Sequence, residues 1–274
     1  PVVPLEYNIA NSVSKICDQF DDSYWLSHDK SGDFPHEFCS ALAKNGWLGI
    51  AMPETQGGSG LGITEAALMM QTIAESGAAM SGCSAVHMNI FGPNVIVVFG
   101  NEEQKQRMLP PLITGKTRAC FGVTEPDAGL DTTHLKTKAI PKNDHYLISG
   151  HKVWTSTAQV ADKILLIART RPIEQCEKPS DGLSLFYTDL DRSAIEVREI
   201  EKMGRKAVDS NELFINELRV PFEDRIGEEG KGFQYLLHGL NPERILIAAE
   251  AIGVGRVALA RASQYAKDRR IFGR

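Results

Sequence analysis

Two segments carry residue types from which a site for a flat, polar ring could be built. The Thr124 segment (residues 121–131) places a Thr-Glu-Pro turn among apolar residues, and the Trp154 segment (residues 152–156) follows its tryptophan with two hydroxyl residues. An indole can flank a flat ring while hydroxyl and backbone groups bond to its polar edge. Taken alone, a surface turn and a core tryptophan on a strand explain the two segments equally well.

The common signatures of nucleotide and metal sites do not occur in this sequence. It has no GxGxxG and no GxxxxGK[ST], its five cysteines form no CxxC pair, and its seven histidines form no HExxH. These patterns argue against a Rossmann or P-loop site and against zinc. We therefore predict no metal, and cysteines that stay free or buried in a reducing compartment.

Composition indicates a globular protein without a strongly charged partner. Hydrophobic residues make up 42% of the chain and charged residues 24%, and the net charge is -5. These values argue against disorder and nucleic-acid binding. No apolar run approaches the ~20 residues of a membrane span, and no secretory signal is visible. We expect a protein of the bacterial cytoplasm or the mitochondrial matrix that is not secreted.

The hydrophobic period changes twice along the chain. Helical spacing predicts helices over 5–20, 35–44, 63–75 and 101–110, the last ended by Pro110 and Pro111. A period of two then predicts strands over 146–150, 183–187, 195–200 and 213–220, and a compact apolar run predicts another over 164–167. Several short strands at this spacing suggest a small barrel or sandwich.

A long helix is predicted to close the sequence. Asn241 would cap it, Pro242 would take its first position, and it would run to about Asp268. Its apolar face would pack on other helices and consists of Ile245, Ala248, Ala249, Ile252, Gly255 and Leu259.

Several short blocks, taken in order, resemble the acyl-CoA dehydrogenase family. The blocks are Gly46–Trp47–Leu48–Gly49 with Pro53–Glu54 and Gly57–Gly58, 101–106 with Leu109–Pro110, Thr124–Glu125–Pro126–x–Ala128–Gly129–x–Asp131, Lys152–x–Trp154, Met203–Gly204 with Glu212–Leu213, Val220–Pro221, 230–233, and Arg269–x–x–Phe272–Gly273. The resemblance implies an α+β fold: an N-terminal helical domain (1–117), a middle β domain (118–228), and the first helix of an incomplete C-terminal four-helix domain (229–274).

The resemblance also implies FAD as cofactor. Thr124 and Thr155 would bond near the N5 and O4 edge of the flavin. Arg269 would reach the FAD phosphates of a neighbouring subunit, unless it only satisfies the dipole at a helix C-terminus. Leu130 stands where the family usually has serine, so a hydroxyl contact is lost there. The implied cofactor-binding residues are Phe121, Val123, Thr124, Gly129, Leu130, Trp154, Thr155, Ser156, Arg269 and Phe272.

Glu243 matches the position of the catalytic base in a minority of the family. There a carboxylate removes the α-proton of an acyl-CoA thioester while hydride leaves the β-carbon for the flavin. Glu243 could instead be a first-turn glutamate favoured by a helix N-terminus, with the base beyond residue 274. Leu130, Asn241 and Arg244 would contact the substrate.

The implied function is FAD-dependent α,β-dehydrogenation in a homodimer or homotetramer that passes electrons to an electron-transferring flavoprotein. Two alternatives stay open. One is a flavin oxidase or monooxygenase on the same fold. The other is a truncated flavin-binding or scaffold protein without activity.

Overall fold

The computed structural model describes residues 5–273, which begin with a bundle of helices. Its α-helices are α1 Leu5–Cys17, α2 Asp22–Ser31, α3 His36–Lys44, α4 Ile63–Ile73, α5 Ala79–Val86, α6 Met88–Phe91, α7 Asn94–Phe99 and α8 Glu102–Ile113. One π-helical stretch, Ala74–Ala78, joins α4 to α5 through Gly77 at a φ of 105°. The helices predicted over 5–20, 35–44 and 63–75 are confirmed.

The predicted end of α8 is wrong, because the helix continues through Pro110 and Pro111 to Ile113. The amide of Thr114 still donates to the Pro110 carbonyl at 3.0 Å, so helical bonding resumes after the prolines. Leu109 and Leu112 are fully buried on this turn. Their burial outweighs the hydrogen bonds that the two prolines cannot donate.

The strands in the middle of the chain are β1 Ala119–Gly122, β2 Lys138–Pro141, β3 His145–Ser156, β4 Lys163–Arg169, β5 Leu183–Asp189, β6 Ile195–Glu199, β7 Ser210–Pro221 and β8 Arg225–Ile226. They form one mixed sheet, in the order β6-β7-β3-β2-β4-β5-β8, with β1 parallel to β4. All five predicted strands are confirmed: four lie within longer strands, and the one predicted over 195–200 is β6, which ends one residue earlier.

Strand β4 shows how the sheet joins the helices. Ile164 and Leu166 face a hydrophobic core formed by residues of the β region alone. Leu165 and Ile167 face the other core, which the sheet shares with the helices. Successive side chains of a strand point to opposite faces. The compact apolar run therefore arises because both faces of β4 are covered.

The long helix α9 spans Gly232–Asp268, so the prediction that Asn241 caps it is wrong. Pro242 lies inside the helix and cannot donate to the carbonyl of His238. The side-chain amide of Asn94, on α7, donates to that carbonyl at 2.6 Å instead. A contact from a neighbouring helix thus lets α9 continue through its proline.

Helix α9 packs through a different face from the one predicted. Leu246 and Gly253 are buried on the side that meets α4 and the π-helical stretch. Ile245, Ile252 and Leu259, from the predicted face, are 47%, 55% and 70% exposed. Helical spacing identified an apolar face, but partner contacts decided which face is covered.

The close approach of α9 to α4 depends on Gly253. A Cβ there would collide with the Gln71 carbonyl and lie 2.7 Å from the Cβ of Ala74. We expect Gly253→Ala to lower the free energy of unfolding by about 1–3 kcal/mol, measured with urea. The matched control is Gly255→Ala, where no atom lies within 4 Å, and it should raise stability by about 0.5–1 kcal/mol. Equal stability of the two variants would contradict this account.

Residues 5–273 contain neither a membrane-spanning helix nor a cluster of metal ligands. No single helix there is long and apolar enough to cross a membrane. The stretches Ile63–Val86 and Met88–Phe99 together have the length and composition of a membrane span, but the chain bends by 44° between them. Both stretches contribute fully buried side chains to the core under the helices. No group of three His, Cys, Asp or Glu side chains in this range could hold a metal ion.

Candidate active site

The Thr124 segment and the Trp154 segment lie side by side. The amide of Val153 donates to the carbonyl of Thr124 at 2.9 Å. The ammonium of Lys152 donates to the carbonyl of Val123, also at 2.9 Å. The two stretches that the sequence singled out therefore form one surface.

A buried ion pair holds this surface together. Lys152, fully buried, donates to Glu125 Oε1 at 2.9 Å. The carboxylate of Glu125 also accepts from the amides of Lys136 at 2.6 Å and Thr137 at 2.9 Å. It is thereby tied to β3 on one side and to the chain entering β2 on the other.

The charge state of this pair follows from its contacts. Burial works to raise the pKa of the Glu125 carboxyl, but Lys152 and the backbone donors outweigh it, so the pKa lies below its usual value. Burial lowers the pKa of the Lys152 ammonium, and Glu125 opposes that shift. Sequence reading missed the pair because its members are 27 residues apart and each looked like part of a local motif.

A β-bulge turns Trp154 outward. The register between β3 and β7 shifts between Lys152 and Thr155, and Trp154 has a φ of 62°. This left-handed conformation is rare for a bulky residue and persists only where neighbours enforce it. Asn211 Nδ2 donates to the carbonyl of Thr155 at 2.9 Å and fixes the strand just after the bulge. The indole is consequently 62% exposed instead of lying in the core.

The hydroxyl residues next to Trp154 have different surroundings. Thr155 is buried, and its Oγ1 has no hydrogen-bond partner among the described residues. Ser156 and Thr124 are partly exposed on the joined segments. Of these three hydroxyls, those of Ser156 and Thr124 are the more accessible to a ligand.

The surface fits a flat aromatic cofactor. Trp154 and the fully exposed Leu130 present apolar side chains beside partly exposed hydroxyls. Gly129 leaves open space where other residues have a Cβ. Phe121 is half-buried, with its ring edge-to-face on Phe91 at 5.6 Å. Val123, also predicted at this site, is buried beneath it.

Glu243 lies well inside α9, as its twelfth residue, with its side chain half-buried. The interpretation that a helix N-terminus favours this glutamate is wrong, because that effect fades within the first turn. Burial is the main cause that raises the pKa of the Glu243 carboxyl, and Glu250 adds to it. His87 and Arg244 oppose the shift. A carboxylate with a raised pKa is suited to accept a proton near neutral pH.

The remaining predicted residues lie on α9 or just beyond its end. Asn241 and Arg244 are exposed, and Arg244 Nη1 donates to Asn241 Oδ1 at 2.5 Å. Arg269 follows the end of α9, and Phe272 beyond it is 96% exposed. At 1.5 Å per residue, Arg269 lies about 39 Å along the helix from Glu243. One chain does not bring both to the same site.

Family models match the described architecture along most of the chain. The acyl-CoA dehydrogenase N-terminal domain matches residues 6–116, the middle domain 120–218, and the C-terminal domain 230–274. The α+β fold predicted from the sequence is confirmed.

Individual relatives agree with these matches. An acyl-CoA dehydrogenase of Bacillus subtilis is 35% identical over 247 residues, 90% of this chain. The caffeyl-CoA reductase-Etf complex subunit CarC of Acetobacterium woodii is 34% identical over 250 residues, also 90% of this chain. This chain spans 64% of the length of each. The structure of butyryl-CoA dehydrogenase from Megasphaera elsdenii superposes with a TM-score of 0.91 at 27% identity, covering all of this chain and 72% of that one. The chain belongs to the acyl-CoA dehydrogenase family of flavoprotein oxidoreductases.

Proposed function

We propose that this chain forms part of an enzyme that desaturates an acyl-CoA thioester between its α- and β-carbons with FAD as cofactor. The observation that carries the proposal is the joined surface of the Thr124 and Trp154 segments, which offers an outward indole and accessible hydroxyls. Family membership supplies the reaction class. Glu243 is the proposed base.

The residues divide into three roles in this proposal. FAD, when bound, supplies the acceptor for the hydride from the β-carbon. Trp154 and Leu130 would cover the flat face of the cofactor and exclude water, while Thr124 and Ser156 are the proposed donors to its polar edge. The hydroxyl of Thr155, predicted with them, is buried behind this surface. Phe121, Val123 and Gly129 shape the wall, and Arg269 and Phe272 bind FAD in a neighbouring copy of the chain.

Glu243 accepts the α-proton on a carboxylate oxygen. Its half-buried position makes proton acceptance more favourable than in water. Leu130, Asn241 and Arg244 are the proposed contacts to the acyl-CoA. The exposed guanidinium of Arg244 has the charge to meet an anionic group of the CoA moiety.

The proposed partner for reoxidation is an electron-transferring flavoprotein. The name of the relative CarC, a subunit of a reductase-Etf complex, supports this partner. We propose a homodimer or homotetramer, because Arg269 lies too far from Glu243 to serve the same site in one chain. The proposed location is the bacterial cytoplasm or the mitochondrial matrix.

An anaerobic titration with acyl-CoA tests this function. The purified protein should contain yellow flavin, and acyl-CoA should bleach its visible absorbance. Admitting air should then restore the colour only slowly, with peroxide released at the same slow rate and no rapid burst. A burst would favour the oxidase or monooxygenase alternative, and a colourless protein that takes up no added FAD would favour the scaffold alternative. Either result would overturn the proposal.

A further inference from the structure

A second carboxylate, Glu250, lies on the same face of α9 as Glu243. Seven residues are close to two helical turns, so Glu250 is about 10 Å along the axis from Glu243 and nearly in line with it. Leu246, between them on this face, is fully buried. Glu250 is itself fully buried, which is rare for a carboxylate.

His87, between α5 and α6, is the partner of Glu250. Its Nδ1 lies 3.3 Å from Glu250 Oε1, and only 13% of its side chain is exposed. The His87 ring packs edge-to-face on Phe91 at 5.5 Å, and Phe91 packs in the same way on Phe121. The pair is thereby connected, through the ring of Phe91, to Phe121 in the wall proposed for the cofactor.

The Glu250 carboxylate is incompletely satisfied. Its Oε2 has no hydrogen-bond partner in the described part of the chain, so the contact with His87 Nδ1 is the one side-chain hydrogen bond of this carboxylate there. Keeping a buried carboxylate in this state is unfavourable for stability. Glu250 is therefore a candidate for a role other than holding α9 in place.

We propose that His87 and Glu250 are positioning residues that set the electrostatic potential at Glu243, and thereby the pH range in which it accepts a proton. This inference rests on the proposed function of Glu243. A negative Glu250 disfavours the charged form of the Glu243 carboxyl, and a positive His87 favours it. Both effects are transmitted through an interior that screens charge poorly.

The other ionisable groups around this cluster are few. Arg244, next to Glu243 on α9, acts in the same direction as His87. The guanidinium of Arg205 and the buried thiol of Cys83 interact with Glu250. Arg205 partly offsets the Glu250 charge, and Cys83 is neutral because burial raises the pKa of its thiol well above the usual value.

The pH profile of kcat/KM for acyl-CoA oxidation tests this role. Glu243 must be deprotonated to act, so the rate falls as the pH drops through its raised pKa. Glu250→Gln removes the negative charge near Glu243 and should lower the midpoint pH of this fall by roughly half to one unit. His87→Gln removes the opposing group and should move the midpoint up. A purely structural role predicts no such opposite shifts.

Glu75→Gln is the matched control. Glu75 also contacts α9, through Arg256 at 3.4 Å, but both side chains are about half exposed, so solvent screens its charge. The midpoint of the pH profile of Glu75→Gln should therefore stay at the wild-type value. In case a single variant loses its fold, the double variant with both His87→Gln and Glu250→Gln provides a second reading, with a midpoint between those of the single variants.

A wrong assignment of the base and a wrong role for His87 and Glu250 give different results. If bleaching survives in Glu243→Gln, the proposed base is wrong and this inference falls with it. If bleaching is lost in Glu243→Gln but the His87 and Glu250 variants keep the wild-type midpoint, only this inference is wrong.

Discussion

Glu243→Gln is expected to keep yellow flavin bound and to slow bleaching by acyl-CoA by about 10²–10⁴-fold or more. Glutamine has nearly the same shape as glutamate but cannot take the α-proton, so binding should persist while the chemical step fails. Anaerobic stopped-flow absorbance measures the rate, and the visible spectrum of the resting protein reports flavin content.

Asp268→Asn is the control for Glu243→Gln. It makes the same chemical change on α9, but at the last residue of the helix. Its bleaching rate should equal that of the wild type. If Glu243→Gln also bleached at the wild-type rate, the base would have to be another residue, including one beyond residue 274.

Lys152→Met is expected to lower the free energy of unfolding by about 3–5 kcal/mol. Methionine fills much of the volume but leaves the Glu125 carboxylate buried without its cation. The carbonyl of Val123 also loses its donor. The Thr124 segment should then loosen from β3, and flavin content should fall with stability. Urea unfolding measures the first effect and visible absorbance the second.

Lys136→Met and a double variant are the comparisons for Lys152→Met. Lys136 pairs with Asp127 in the same region, but both side chains are 73% exposed, so its loss should change stability little. Adding Glu125→Gln to Lys152→Met removes the uncompensated charge and should recover part of the stability. If Lys152→Met unfolded at the same urea concentration as Lys136→Met, the ion pair would not support the site.

Glu243 and the Glu125–Lys152 pair would serve two different components of the proposed reaction. Glu243 is the proposed proton acceptor, and the Glu125–Lys152 pair would support the proposed surface for the cofactor. The buried pair acts without touching the reacting atoms, because it fixes the backbone from which Thr124 and Trp154 project. A proton acceptor is useful only when the cofactor lies at a fixed distance from it, so both are needed.

The sequence was sufficient where local patterns dominate. Alternation and one compact apolar run identified five of the eight strands in residues 5–273. The run is β4, whose unbroken apolar sequence follows from burial on both faces. Ordered motifs also identified the family, and with it the segments around Thr124 and Trp154. Each of these signals extends over a few neighbouring residues, which is why a single sequence carries it.

Contacts between distant residues decided the rest. The start of α9 could not be read from Asn241 and Pro242, because Asn94 supplies the hydrogen bond that the proline cannot. The partner of Glu125 is 27 residues away and that of Glu250 is 163 residues away. A buried charged group pairs with whatever group lies next to it in three dimensions. The sequence therefore determined which ionisable groups exist, and the tertiary structure determined which of them interact.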